Sequence, residues 1–167
     1  MARQRSIRDP VAGSGIGVHS GKRVDIRLLP APADSGITFR RTDLDTSAEI
    51  PARANLVRDT QLCTALVDDS GVRVATIEHL MSALAGVGID NIIIELNAPE
   101  VPIMDGSAAP FVYLLQQAGI RELDALKTFI HINDTIEVRE GDKWARLSPH
   151  NGCCFDFTIE FDHPVFR

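Results

Sequence analysis

The sequence predicts an α+β protein: a two-layer sandwich in which a mostly antiparallel sheet carries two main helices on one face. Three observations carry this reading. Short segments that alternate apolar and polar residues recur along the chain, the period of a half-buried strand. Only two segments repeat apolar residues at helical spacing. Turn residues punctuate the segments closely enough for hairpins and short connections.

Taken in chain order, the glycine-rich run Gly13-Ser14-Gly15-Ile16-Gly17-Val18-His19-Ser20-Gly21-Lys22 comes first. It has the look of a phosphate loop with the wrong spacing. Five residues separate Gly15 from Gly21 where four are required, and Arg23 stands where Ser or Thr should follow the lysine. The run reads instead as a glycine-rich hairpin or bend that presents His19. Val24, Ile26 and Leu28 alternate with Asp25 and Arg27, a half-buried strand. Leu62, Thr64 and Leu66 alternate with Gln61, Cys63 and Ala65 in the same way. The run Asn91–Leu96 is apolar enough to be a central strand. Ile136–Arg139 and Trp144–Leu147 flank Glu140-Gly141-Asp142, a hairpin signal. Phe155, Phe157, Ile159 and Phe161 alternate with Asp156, Thr158, Glu160 and Asp162, an amphipathic strand.

The first helix is expected from about Ile77 to Ala85, with Thr76 as N-cap and Gly86 or Gly88 as the stop. Ile77, Leu80, Met81, Leu84 and Val87 form its apolar stripe. His79, Ser82, Ala83 and Gly86 form a separate small-residue face able to approach another element closely. The second helix follows Asp105-Gly106-Ser107, with Ser107 as N-cap and Pro110 in its first turn. Asp105 most simply closes that turn. Phe111, Val112, Leu114, Leu115 and Ala118 face inward, and Gly119 ends the helix.

Glu78 and His79 are the most informative pair. They are adjacent in the first turn of a helix, where the dipole favours a carboxylate. A carboxylate beside a metal-ligating His is what metal-assisted hydrolysis requires: one residue holds the ion and the other takes a proton from water. Known zinc-helix signatures are absent, since neither His-Glu-x-x-His nor its inverted form occurs here. His131, flanked by Ile130 and Ile132, reads as an outward strand residue, and His150 as a turn residue. No histidine has metal-ligand spacing to His79, so the residues alone do not complete a zinc site. Cys63 reads as a small buried hydrophobe.

Composition bounds the function. The chain has 167 residues, 44% hydrophobic and 24% charged, with net charge −6. That is one sizeable globular domain, and the acidic balance with no basic block disfavours nucleic acid as the main partner. No segment approaches the length and apolarity of a membrane span, so stable membrane insertion is not expected. Three cysteines, two of them adjacent at 153 and 154, are not a disulfide framework. A cytoplasmic location follows as the expectation.

Several motifs together resemble one family. Ile77-Glu78-His79-Leu80 with Ser82-Ala83-Leu84-Ala85-Gly86 and Gly88-Ile89-Asp90-Asn91 is similar to the helix motif of the UDP-3-O-acyl-N-acetylglucosamine deacetylases. Pro102–Phe111 resembles that family's second signature. Gly15–Gly21, Arg40-Arg41-Thr42-Asp43, Arg58-Asp59-Thr60, Leu62-Cys63-Thr64 and Gly141-Asp142-Lys143-Trp144 match as well. The resemblance spans essentially the whole chain. It implies a zinc-dependent hydrolase that removes the N-acetyl group of UDP-3-O-acyl-N-acetylglucosamine, the committed step of lipid A synthesis in Gram-negative bacteria.

By that resemblance Glu78 is the general base and His79 one ligand of the Zn2+ ion. His19 is similar to a cleft residue that contacts substrate. Gln61 and Cys63, on one strand face, resemble residues lining the metal and acyl-chain region. Lys143 and Phe161 are similar to residues that meet the UDP group, an ammonium for the diphosphate and a ring for the uracil. The family pairs two similar α+β domains, helix layer to helix layer, with the zinc cleft between them. Residues 1–167 correspond to the N-terminal domain. The partner expected from outside this chain is the C-terminal domain of the same enzyme, bearing a His-x-x-x-Asp helix with the other two zinc ligands and a His resembling the general acid. The alternative is a catalytically incomplete domain that binds a partner or nucleotide.

Overall fold

A computed structural model describes residues 2–45 and 48–160. The chain divides into two compact units, Met1–Lys127 and Thr128–Arg167.

In the first unit the chain runs through β1 (Arg3–Ile7), β2 (Val11–Ile16), β3 (Arg23–Pro30), β4 (Ile37–Arg41) and β5 (Ala48–Pro51). It continues through β6 (Val57–Asp59), β7 (Ala65–Val67), β8 (Arg73–Val74), α1 (Glu78–Val87), β9 (Ile92–Leu96), α2 (Ala109–Ala118) and β10 (Ile120–Leu126). The main sheet has strand order β2-β3-β9-β4-β5 and is antiparallel except where β4 lies parallel to β9. β1 and β10 form a two-stranded ribbon, and β6, β7 and β8 a small three-stranded sheet. This is the two-layer α+β fold, with α1 and α2 packed together over one face of the main sheet.

Strand periodicity decides which face the helices cover. Ile26 pairs with Leu96, Leu28 with Ile94, and Phe39 with both Ile94 and Ile50. All six side chains are buried, and they share one cluster with Leu80 and Leu84 of α1 and Phe111 and Leu115 of α2. The residues between them point the other way. Arg27, Glu95, Arg40 and Glu49 stand side by side across four strands and pair in sequence, with Arg40 at 2.9 Å from Glu95 and 2.7 Å from Glu49. Opposite charges placed directly across strands add to sheet pairing.

The expected central strand at Asn91–Leu96 is β9, and the expected strand at Val24–Leu28 is β3. Helix α1 ends as anticipated at Gly88, which adopts the left-handed conformation at φ 80°. Its stripe of Ile77, Leu80 and Leu84 is buried, with Met81 and Val87 half-buried. The small-residue face is less used: Ala83 is buried, but Ser82 is exposed and a side chain at Gly86 would meet open space. Close approach falls instead on β2. A Cβ at Gly15 would lie 2.9 Å from Pro102 Cβ, and one at Gly13 would lie 3.2 Å from Leu114 of α2. These two glycines therefore belong to a strand that other elements press against, not to a bend. In α2, Phe111, Leu115 and Ala118 are buried and Pro110 sits in the first turn.

The alternation from Gln61 to Leu66 yields less strand than expected. β7 begins only at Ala65, and residues 61–63 form a bend in which Leu62 takes φ 60°. A left-handed residue cannot continue a ladder, so Gln61 and Cys63 do not share a strand face.

In the second unit, β11 (Ile136–Glu140) and β12 (Lys143–Leu147) form the anticipated hairpin, closed at Gly141 with φ 63°. His131 is exposed outside any strand, with its Nδ1 2.8 Å from Asn133 Oδ1. Residues 155–160 form no strand, although their alternation predicts one. Alternation supplies faces but no hydrogen-bond partner, and a strand needs both. Phe161 and Asp162 lie outside the described residues.

Ile94 touches both layers from the centre of the main sheet. Ile94→Ala should lower unfolding stability by about 2–5 kcal/mol through lost burial and a residual cavity. Urea denaturation followed by circular dichroism should show a lower midpoint with an unchanged slope.

Candidate active site

The Glu78–His79 pair opens α1, and both residues are half-buried. Thr76 does not cap this helix. The cap position is Ile77 and carries no side-chain bond, while Thr76 adopts φ 58° and donates its hydroxyl to Glu100 Oε1 at 3.2 Å. The reason is the acceptor: a buried carboxylate needs every donor it can reach, and charge-assisted bonds are the stronger ones.

Two contacts join the start of α1 to the segment before β7. The Thr64 N–H donates to Glu78 Oε2 at 3.1 Å, and the Ile77 N–H donates to the Thr64 carbonyl at 3.3 Å. The first fixes one oxygen of the Glu78 carboxylate and leaves Oε1 without a protein partner among the described residues. Chain connectivity puts Cys63, a half-buried free thiol, next to that contact. Gln61 is exposed two residues further out, its backbone N–H held by Asp59 at 3.0 Å. Leu62 between them is 91% exposed, an apolar side chain offered to solvent at the site.

The segment after Glu100 also comes near the pair, since His79 acts on the Asp105 carboxyl. The Ile103 N–H donates to the Ile16 carbonyl at 2.9 Å, tying this segment to the end of β2. Asp105 closes the expected turn by accepting the Ser107 N–H at 2.9 Å and its hydroxyl at 2.8 Å. Ser107 Oγ in turn accepts the Ala109 N–H, so it serves the helix from one residue outside the cap position. These Ser107 bonds, backbone first, hold the Asp105 carboxyl below the usual range, and the nearby His79 contributes in the same direction.

His19 sits on an exposed turn between β2 and β3. The turn closes on itself through Gly17 N–H to the Lys22 carbonyl and Gly21 N–H to the Gly17 carbonyl, each at 2.9 Å. It is a strand–turn–strand unit and not a phosphate loop, as the spacing predicts. Sequence reasoning missed the residue beneath it. Glu100, 3% exposed, accepts the His19 N–H at 2.9 Å and the Ser20 N–H at 3.1 Å. The one signal available was an isolated carboxylate within the apolar run Pro99–Met104. Burial raises the Glu100 carboxyl, but the donors from His19, Ser20 and Thr76 outweigh it and hold the carboxyl below its ordinary value.

Lys143 opens β12 in the second unit and is exposed. Within that unit it lines a groove of about 950 Å³ with Trp144, Phe155 and Phe157, and the Arg146 guanidinium lies 5.0 Å from the Trp144 ring centre. Phe161 lies outside the described residues. Among the described residues, no three or more His, Cys, Asp or Glu side chains are grouped to hold a metal ion. No helix of the described residues is long and apolar enough to cross a membrane.

Fold and site together define an α+β protein that carries an adjacent carboxylate–imidazole pair at a helix start, with the Glu78 carboxylate held by the Thr64 N–H. The family model for the UDP-3-O-acyl N-acetylglycosamine deacetylases (LpxC) matches residues 4–167, and the chain belongs to that family.

Because the folded-state value of Glu100 is lowered, its contribution to stability is complete above the unfolded value, about 4.3. It is lost as pH falls through the lower folded value. The amide resonances of His19 and Ser20 should therefore titrate together with an inflection below the ordinary glutamate range. An inflection at or above that range would contradict the assignment.

Proposed function

We propose that this chain forms the N-terminal part of a zinc-dependent deacetylase. Its substrate is UDP-3-O-acyl-N-acetylglucosamine, and its reaction is the committed, N-acetyl-removing step of lipid A synthesis. Family membership supports the substrate class. The observation that carries the chemistry is the Glu78–His79 pair, with one Glu78 oxygen fixed by the Thr64 N–H and the other without a hydrogen bond among the described residues.

His79 is the residue of this chain that would hold the zinc, together with ligands from a C-terminal domain. When bound, zinc supplies Lewis acidity toward the amide carbonyl. Glu78 accepts a proton from the attacking water as its oxygen adds to the acetyl carbon. The C–N bond then breaks, the nitrogen takes a proton from an acid supplied by the C-terminal domain, and acetate leaves. Thr64 keeps the Glu78 carboxylate aimed through the reaction at no reorganisation cost.

The remaining residues bind. His19 contacts the sugar portion from its turn. Gln61 and Cys63, with exposed Leu62 between them, border the metal and the 3-O-acyl chain. Lys143 meets the diphosphate and Phe161 the uracil. A nucleotide-linked substrate fits a cytoplasmic enzyme. The second reading is a catalytically incomplete domain that binds nucleotide or partner. Assaying this chain with and without a separately expressed C-terminal domain separates the two: restored deacetylation selects the enzyme reading.

In the complete enzyme, Glu78→Gln should keep fold and zinc and lose turnover by about 10²–10⁴-fold. The amide oxygen still accepts the Thr64 N–H, but it cannot take a proton from water. His79→Ala should lose zinc as well as activity, because a ligand is removed. Zinc content and kcat measured on both variants test the assignment, and near-normal turnover of zinc-loaded Glu78→Gln would remove Glu78 as the base. Residues 1–167 alone should release zinc to a chelator, since a catalytic zinc typically needs three protein ligands. Metal analysis after dialysis checks this.

A further inference from the structure

We propose that Glu100 is a positioning residue for this site: it sets the His19 turn against the start of α1 and acts on the reaction only through His19. The proposal rests on the reading of His19 as a substrate contact.

Glu100 is fixed at both ends. Its backbone forms a parallel bridge with Ala75, through Ala75 N–H to the Pro99 carbonyl and Val101 N–H to the Ala75 carbonyl, each at 2.9 Å. Ala75 lies three residues before Glu78. The side chain then reaches the other way. Oε1 accepts both the His19 N–H and the Thr76 hydroxyl, and Oε2 accepts the Ser20 N–H. One carboxylate thus joins the turn that presents His19 to the segment that presents Glu78 and His79, and among the described residues it hydrogen-bonds to none of those three side chains.

Among the described residues the turn has no other anchor of this kind. Among the described residues, every hydrogen bond from residues 18–21 to chain outside the turn goes to Glu100. Val18, His19 and Ser20 are all exposed, so packing holds the tip weakly. The turn also closes tightly on the carboxylate: a Cβ at Gly17 would collide with Glu100 Oε2 and the Ser20 hydroxyl. A buried carboxylate is costly, and this one has no salt-bridge partner among the described residues. Its compensation is entirely backbone N–H and hydroxyl donors, the pattern that orders a turn. An apolar residue of similar size would fill the volume without ordering anything.

The test has two arms. In the first, Glu100→Gln is introduced into residues 1–167 and examined by amide NMR and hydrogen exchange, which needs no activity. A carboxamide turns one acceptor into a donor facing an N–H, so the His19 and Ser20 amides should shift and lose protection while β9 and α2 amides stay unchanged. Unchanged His19 and Ser20 amides would overturn the proposal. Should Glu100→Gln fail to fold, Gly17→Ala displaces the turn from the opposite side and is read the same way.

The second arm uses the complete enzyme and a double-mutant cycle with His19→Ala. Misplacement of a contact by about an ångström costs up to about 10²-fold in rate. Glu100→Gln should lose kcat/KM by about 10–10²-fold, split between kcat and KM as in His19→Ala, with zinc content unchanged. In the His19→Ala background it should add little, within about twofold. Equal losses in both backgrounds would mean a merely structural role and would sink the proposal. If the wild-type enzyme shows no deacetylation, the proposed function fails while the first arm still decides whether Glu100 orders the turn.

Discussion

The period of two along β9 governs the unit. Ile92, Ile94 and Leu96 must be dry, and Glu95 must not be, so the strand can lie in only one orientation. Its neighbours on both sides repeat the same alternation, which turns four strands into a sheet with one apolar and one charged face. The helices have a single place to bury their stripes. Once α1 is seated there, its first turn is held at the border of the sandwich, and Glu78 and His79 come with it. Slipping β9 by one residue would bury Glu95 and expose Ile94, and the site would lose its floor.

Carboxylates do the local fixing around that floor. Asp90 accepts the Arg5 N–H, Asp105 the Ser107 N–H, Glu78 the Thr64 N–H and Glu100 two amides of the His19 turn. These are amides outside a regular ladder, at a bulged strand position, a loop or a turn, and a carboxylate satisfies each with a charge-assisted bond, from within the turn for Asp105 and from distant chain for the other three. Arg41 does the complementary task. It is buried, forks onto Asp43 at 2.7 and 2.8 Å, and donates to the Arg73 carbonyl at 2.8 Å, which ties the main sheet to β8.

The parts legible in the sequence were those whose physics is local. β3 and β9 alternate cleanly because one face is wet and the other dry, and both helices show their stripes for the same reason. The Glu78–His79 pair was legible because adjacency at a helix start is itself a sequence property. What stayed hidden depends on distant partners. β8 is two residues long, and β10 alternates only weakly, so neither announces itself before its partner is known. The bend at Leu62 breaks a pattern that reads as strand, and residues 155–160 alternate with no strand among the described residues to pair with. Thr76 looked like a cap because the carboxylate that takes its hydroxyl is 24 residues away in the chain.

The anchoring of the His19 turn has one more consequence. Glu100 holds main-chain amides at positions 19 and 20, whereas the side chains of Val18 and His19 project from an exposed tip. Where the tip stands is therefore decided separately from what it presents. Residues 18 and 19 are open to exchange for other L-residues with the backbone still moored, while Gly17 and Glu100 are not. The turn is a socket with interchangeable contents: what stands at its tip can change without rebuilding the scaffold.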